Sequence, residues 1–348
     1  MNERDSLLAS IADTIKDYRK SEIPEPTPDH VNRWVSQFGT DVQVPLLREL
    51  DHVFKQTYFS KKEVEDFFSY QINNKKLVGE NPHDFWQAAH ILNIQGNGNS
   101  QKEIRKLFGE ALAKELKLKI DKCGSTSGAF IYLDDVLFSG TRVNTDLMNW
   151  LEKEASKKGV CHILVMAAHR LGEWQCLKSL KEAASKASKE LEIHCWAAKR
   201  IENRKSYRNQ SEVLWPAEIP DDKDLQAYIE GEKKFPFTPR ALGGKLENAI
   251  FSSEDGRKLL EREMLLAGMR IRSFSQSPSR ALRPLGFSAF GLGFGSMIVT
   301  YRNCPNNTPL ALWWGDPEAP SNHPFSRWYP LLPRKTYNEE VDLDDFPF

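Results

Sequence analysis

At 348 residues and 39.9 kDa, with 40% hydrophobic and 28% charged residues, the chain has the makeup of a soluble globular protein with room for one large domain or two. Lys+Arg and Asp+Glu both total 48, so bulk charge argues against a global polyanion-binding surface and leaves only local patches. No apolar run approaches a membrane span, and the start MNERDSLLAS lacks the apolar core of a signal peptide. The five cysteines, Cys123, Cys161, Cys176, Cys195 and Cys304, are scattered without CxxC spacing, so the expectation is a cytoplasmic protein with reduced core thiols and neither a disulfide framework nor a zinc knuckle.

Taken in chain order, Leu7, Leu8, Ile11 and Ile15 recur at helical spacing over residues 3–19, and the prolines of EIPEPTP end that helix in an extended linker. From Asp29 to about Lys76 the apolar positions Val31, Trp34, Val35 and Phe38, then Leu46, Leu47, Leu50 and Phe54, read as helices, with Ser60 and Glu63 as a capping box. The rhythm then changes. AHILNI reads as a short buried strand, QGNGNS as a turn and Gln101 to about Leu118 as an amphipathic helix. Next come a strand at Phe130–Leu133, a helix from Val143 to about Lys157, a strand at HILVMAA, a helix from Leu177 to about Leu191 and a strand at IHCWAA. Strand and helix alternating in this way predict an α/β fold, a mostly parallel sheet with helices on its faces. Beyond it lie a basic loop, a helix that Ser252 and Asp255 are expected to cap and Gly268 to close, a glycine-rich aromatic stretch with a strand at Met297–Tyr301, and a tail.

The stretch FIYLDDVLFSGTRVNTDLMNWL is the most informative. A buried strand runs directly into Asp134 and Asp135, and a Ser-Gly-Thr turn then opens a helix carrying Val143, Leu147 and Leu151 on one face. The acid pair therefore sits at the carboxyl end of a strand, where open α/β sheets bind ligands. The backbone N–H groups of Ser139, Gly140, Thr141 and Arg142 face the positive end of the helix, an arrangement suited to a phosphate. One strand earlier, Gly96, Asn97, Gly98, Asn99 and Ser100, followed by Lys102, form either an ordinary glycine turn or a second anion loop.

Hydrophobic strand, Asp-Asp, apolar pair and Ser-Gly-Thr at a helix start resemble the ribose-phosphate motif of type I phosphoribosyltransferases, enzymes that use phosphoribosyl pyrophosphate (PRPP). That resemblance implies a type I phosphoribosyltransferase-like parallel sheet with flanking helices. It also implies that Asp134 and Asp135 hold the ribose hydroxyls and stabilise charge at the anomeric carbon, that Ser139, Gly140, Thr141 and Arg142 cradle the 5′-phosphate, and that Gly96–Ser100 with Lys102 bind pyrophosphate bridged by Mg2+. No metal-ligating side chain is assigned. Purine-salvage members carry an acid just before the phosphate turn; here Phe138 stands there, which argues against that activity. KCGSTSG is short for the flexible loop that closes over substrate in related enzymes.

Further stretches, VNRWVSQF, RKLLEREMLLAGMRI, RPLGF and YRNCPNNTPLALWW, are similar to the phosphoribosyltransferase-like family of bacterial conflict and antiphage systems, PRTase-CE, over about Val31 to Trp314. This implies an antiphage effector acting on PRPP or a nucleotide at the anomeric carbon, or else a non-catalytic nucleotide sensor or scaffold. Partners implied include a retron-type reverse transcriptase, a DNA-binding protein or nucleic acid. The expected organisation is a helical N-terminal region (1–80), the phosphoribosyltransferase-like core (81–218), a C-terminal mixed hood (219–335) and an acidic tail (336–348).

In the hood, Asn303, Asn306, Asn307 and Trp313 read either as a base-binding set or as a plain turn. GLGFGS marks close backbone packing and not a dinucleotide fingerprint. His169 and Arg170 follow a buried strand and either reach the same cleft or are loop residues. KRIENRKSYR gathers Lys199, Arg200, Arg204, Lys205 and Arg208 about Tyr207, as a solvated loop or a nucleic-acid contact. The ending EEVDLDDFPF, with five acids before Phe346, Pro347 and Phe348, is similar to the tail of bacterial single-stranded DNA-binding proteins, and reads as a solvating tail or one that docks a basic pocket.

Overall fold

The computed structural model of the protein describes residues 2–95, 100–124, 128–232, 236–243, 250–275, 277–289 and 291–334. The N-terminal part is built from helices α1 (Glu3–Thr14), α2 (Pro28–Val35) and α3 (Gln43–Thr57), the two-residue strand β1 (Tyr58–Phe59), and helices α4 (Lys61–Ile72), α5 (Lys75–Val78) and α6 (Pro82–Ala88). Ser60 and Glu63 form the reciprocal capping box that starts α4. Strand β2 (His90–Ile91) and helix α7 (Ser100–Leu116) follow, then β3 (Phe130–Leu133), β4 (Val136–Leu137), α8 (Thr141–Lys153), β5 (Lys158–His169), α9 (Arg170–Lys186) and β6 (Glu190–Ile201). The remainder contributes α10 (Lys223–Gly231), α11 (Glu254–Arg272), β7 (Val299–Thr300) and α12 (Leu310–Trp313).

All pairings in the main sheet are parallel, with β2 against β3, β3 and β4 against β5, and β5 against β6. β3 and β4 are one strand broken at the acid pair. Leu133 lies opposite Leu164 and Val136 opposite Ala167, so the register continues across Asp134 and Asp135. Bonds from Asp134 N to Leu164 O (3.2 Å) and from Met166 N to Asp135 O (2.9 Å) keep the ladder closed there. Alternate residues feed two cores. Tyr132, Ile163 and Val165 face α8 and α9, where Leu147, Trp150, Cys176 and Leu180 meet them. Ile131, Leu133 and Leu164 face the other way, onto α7, and join a core shared with the N-terminal helices and the C-terminal segment. β3 and the middle of β5 are thus covered on both faces, which is why they read as continuous apolar runs, whereas β6 alternates exposed and buried positions over its first half.

The N- and C-terminal parts interlock. The indoles of Trp34 and Trp328 both donate to the Ala311 carbonyl, at 2.7 and 2.9 Å, and the Tyr18 hydroxyl donates to Pro333 O (3.0 Å) while accepting from Cys304 N (3.0 Å).

Four local expectations are corrected. The first helix stops at Thr14, and the chain turns back through left-handed Arg19 and Ser21. The N-terminal region is not purely helical, because β1 pairs in parallel with β7, Tyr58 opposite Val299 and Phe59 opposite Thr300. The cap of α11 is Ser253, whose side chain accepts from Gly256 N, while the Ser252 hydroxyl and amide both go to the Glu49 carboxylate. Gly268 does not end α11, which runs on to Arg272; a Cβ at 268 would lie 2.4 Å from Pro284 O, so close helix-to-backbone packing demands the glycine. The GLGFGS reading holds: a Cβ on Gly293 would meet the Leu285 backbone at 2.5 Å and one on Gly295 the Leu214 carbonyl at 2.4 Å. All five cysteines are free.

Candidate functional site

The strand-end turn is built as the sequence suggested. Gly140 takes φ +79° and ψ −2° as the residue before α8, a left-handed conformation that glycine adopts without strain. Space demands glycine as well, since an added Cβ would lie 2.8 Å from both Gly172 O and Cys176 Cβ of α9. Helix α9 is reciprocally close, because a Cβ on Gly172 would fall 1.9 Å from Phe138 O. Two glycines thus press the turn flat against the neighbouring helix. No side chain caps α8. Among the described residues its first N–H groups thus have no side-chain partner, apart from Thr141 N, which reaches the exposed Ser139 hydroxyl at 3.3 Å. Arg142 is exposed beside them, and Asp146, one turn on, accepts from the Tyr132 hydroxyl at 2.7 Å. Burial raises the Asp146 carboxyl, against the pull of that hydrogen bond and of Arg142.

The two aspartates have different surroundings. Asp134 is buried and its Oδ1 accepts from Asp135 N (2.9 Å). Asp135 is partly exposed; its Oδ1 accepts from Val136 N (2.8 Å) and its Oδ2 from Arg302 Nη1 (3.1 Å). Arg302 also grips Glu103, in the first turn of α7, through Nε at 2.8 Å and Nη2 at 2.7 Å. One buried guanidinium therefore joins the acid-pair strand to the helix that follows the expected pyrophosphate loop. Sequence reasoning missed Arg302. A lone arginine after a two-residue strand gives no local sign that its partner lies 167 positions earlier.

Of that loop, Gly96, Asn97, Gly98 and Asn99 lie outside the described residues, as does the Ser100 side chain. Its neck is defined: Gln101 Oε1 accepts from Ile94 N (3.1 Å) and Gln95 N (3.0 Å), and Gln95 Oε1 accepts from Gln101 N (2.9 Å). Lys102 is exposed in the first turn of α7. The middle of KCGSTSG (125–127) and the acidic ending 339–348 are also outside the described residues.

The remaining candidates are engaged in the fold. Asn307 donates its amide to Phe287 O (3.1 Å), Asn306 O accepts from Phe287 N, and Asn303 N closes a turn onto Thr300 O. Trp313 is buried, with its indole N–H on Thr308 O at 2.9 Å. These bonds tie the segment to Phe287 and close one turn at Thr300, and Arg302 is the member of that segment brought to the acid pair. His169 is not in a cleft. It is fully buried, with Nδ1 3.2 Å from Leu137 O and Nε2 3.0 Å from Ser296 Oγ, and it stacks on Phe138 with ring centroids 4.9 Å apart. Burial pushes its pKa down to about 4, so the ring is a neutral tie between β4 and the glycine-rich stretch. Phe294 packs edge-on against both rings.

In the basic loop, Arg200 pairs with Glu173, Arg204 chelates Glu202 and lies 4.1 Å over the Tyr207 ring, Lys199 donates to Gln56 O and Arg208 to Pro239 O. Four of the five cations are thus committed within the fold. Among the described residues, no three His, Cys, Asp or Glu side chains gather as a metal cage, and no helix is long and apolar enough to cross a membrane.

The geometry is an acid pair at a broken strand end, a left-handed glycine turn opening a helix, and a second helix start drawn to the same edge by a shared arginine. No curated protein and no solved structure matches the chain. The PRTase-CE family model matches residues 31–334, most of the length, and the chain therefore belongs to that phosphoribosyltransferase-like family.

Proposed function

We propose that the protein binds PRPP or a nucleotide at the carboxyl edge of its parallel sheet and acts at the ribose anomeric carbon as an antiphage defence effector. The observation that supports this best is the pairing of Asp134 and Asp135 with the Gly140 turn at the start of α8. The carboxylates accept from ribose hydroxyls, the turn and Arg142 take the 5′-phosphate, and the segment before α7 takes the pyrophosphate. Magnesium would offset the charge of the pyrophosphate; among the described residues no three His, Cys, Asp or Glu side chains gather to hold it. In the transfer, the acceptor's nucleophilic atom bonds to C1′ as the bond from C1′ to pyrophosphate breaks. Pyrophosphate leaves with the electron pair, and the acceptor's proton passes to solvent. Asp134, which is buried, and Asp135, which is partly exposed, would stand beside the positive charge that develops on the ribose ring. Partners such as a reverse transcriptase, a DNA-binding protein or nucleic acid belong to this reading through the family resemblance alone.

One observation favours a second reading, a nucleotide sensor or scaffold without turnover. Phe138, where salvage enzymes place a base, is locked in a stack with neutral His169. Calorimetry with PRPP and magnesium tests binding; Asp134→Asn with Asp135→Asn should weaken it at least about tenfold, as charged hydrogen bonds of roughly 1.5–3 kcal/mol are lost. Absence of binding to the wild type by PRPP and by nucleotides rejects the proposal. Pyrophosphate release with a base, nucleotide, nucleic-acid acceptor or water, abolished in the double variant, selects the enzyme. Defence in cells that survives the double variant rejects a ribose-site effector.

A further inference from the structure

We propose that Arg302 is the positioning residue of the ribose site: it aims Asp135 and couples it to the helix behind the pyrophosphate segment. This role rests on the ribose reading above. The side chain is only 8% exposed, whereas its partners Asp135 and Glu103 keep 26% and 48% of theirs in solvent. The arginine is therefore inside and the carboxylates face outward, as expected of a support and not of a ligand contact. Asp135 is held at both oxygens, by Arg302 on Oδ2 and Val136 N on Oδ1, so its carboxylate plane is fixed while lone pairs remain for hydroxyl donors.

Arg302 is in turn held from both sides. Tyr301 N donates to Phe59 O (2.8 Å), Arg19 N donates to Tyr301 O (2.6 Å), and Asn303 N donates to Thr300 O (3.2 Å). The N-terminal helices and the β1–β7 pair thereby present one cation to a carboxylate of the main sheet. Burial disfavours the charge, and Asp135 and Glu103 more than offset it, so the guanidinium remains protonated. A guanidinium shared by two carboxylates from different elements transmits position: a shift of the α7 start moves Glu103, hence Arg302, hence Asp135.

The test uses the full chain and three calorimetric probes: PRPP with magnesium, ribose 5-phosphate, and inorganic phosphate. Arg302→Met should weaken ribose 5-phosphate by tenfold to about a hundredfold, the range expected for loss of alignment, and leave inorganic phosphate within about twofold. Arg302→Lys should recover part of the loss. Arg302→Met added to Asp135→Asn should cost little more than Asp135→Asn alone, because both remove one interaction. Glu103→Gln, at the exposed end of the pair, provides a gentler variant if Arg302→Met does not fold, and should weaken ribose 5-phosphate a few-fold without touching inorganic phosphate. Unchanged ribose 5-phosphate affinity in these variants, or equal loss of all three probes, overturns the role alone. A wild type that binds neither these probes nor any nucleotide overturns the ribose reading and this role with it.

Discussion

Replacing Gly140 by alanine should separate the turn before α8 from α9. Two penalties add. The residue sits at φ +79°, where an L side chain costs about 1–2 kcal/mol. Its Cβ would also stand 2.8 Å from Gly172 O and Cys176 Cβ, overpacking worth about 1–3 kcal/mol. The expected loss is therefore about 2–5 kcal/mol. Gly172→Ala attacks the same contact from the other side without the backbone penalty. Alanine gains about 1 kcal/mol as a helix former there, but its Cβ would lie 1.9 Å from Phe138 O and 2.8 Å from Ser139 C, and backbone atoms cannot rotate away. The clash dominates, and the turn must lift. Urea unfolding should show both variants destabilised, and calorimetry should show weakened ribose 5-phosphate binding, because the N–H groups of α8 no longer converge. Gly231→Ala is the control, with nothing within 4 Å of the added methyl; it should be neutral or stabilising by up to about 1 kcal/mol. Should Gly140→Ala and Gly172→Ala both stay within about 0.5 kcal/mol of wild type and bind normally, the turn is not clamped against α9.

Stability should fall as pH drops from about 6.5 towards 4, because His169 and His162 are both held near pKa 4 by burial and protonate first in the unfolded chain. The unfolded state binds more protons across that window, so each histidine removes stability going downward, about 1.6 kcal/mol between pH 6.5 and 5. His169→Gln should lose one such share in urea unfolding compared at the two ends of the window, and an unchanged pH slope would show that the ring already protonates in the fold. Trp34→Ala should cost about 3–5 kcal/mol, since a fully buried indole and its 2.7 Å bond to Ala311 O are lost; the N-terminal helices and the C-terminal segment should melt together by tryptophan fluorescence and amide exchange, whereas separate transitions would contradict their shared core.

How much of this was legible follows from how far each signal reaches along the chain. The strand at Phe130–Leu133 and the turn at Gly140 are encoded within about a dozen residues: an apolar run, two acids, a glycine and a helical stripe. Buried parallel strands also announce themselves, because both faces are apolar. Of the β1–β7 pair only β7 had such a signature, inside the strand expected at Met297–Tyr301. Two residues from each of two segments about 240 positions apart form it, and nothing local distinguishes Tyr58 and Phe59 from the helices around them. Gly268 shows a residue type read correctly as special and given the wrong reason: the signal for a helix stop and for close packing is the same missing Cβ. In NCPNN the converse holds for Asn307, whose amide could bind a base but donates to the Phe287 carbonyl of a neighbouring segment. Arg302 combines both difficulties. Its neighbours drew attention as candidates while its own partners, Asp135 and Glu103, lie on two other elements, one on each side of the expected ribose and pyrophosphate positions. The strand supplied the acids, but the element that fixes where one of them points comes from the far end of the chain. Any chain that keeps the Asp-Asp motif while losing this arginine should accordingly retain the recognisable turn and bind ribose poorly.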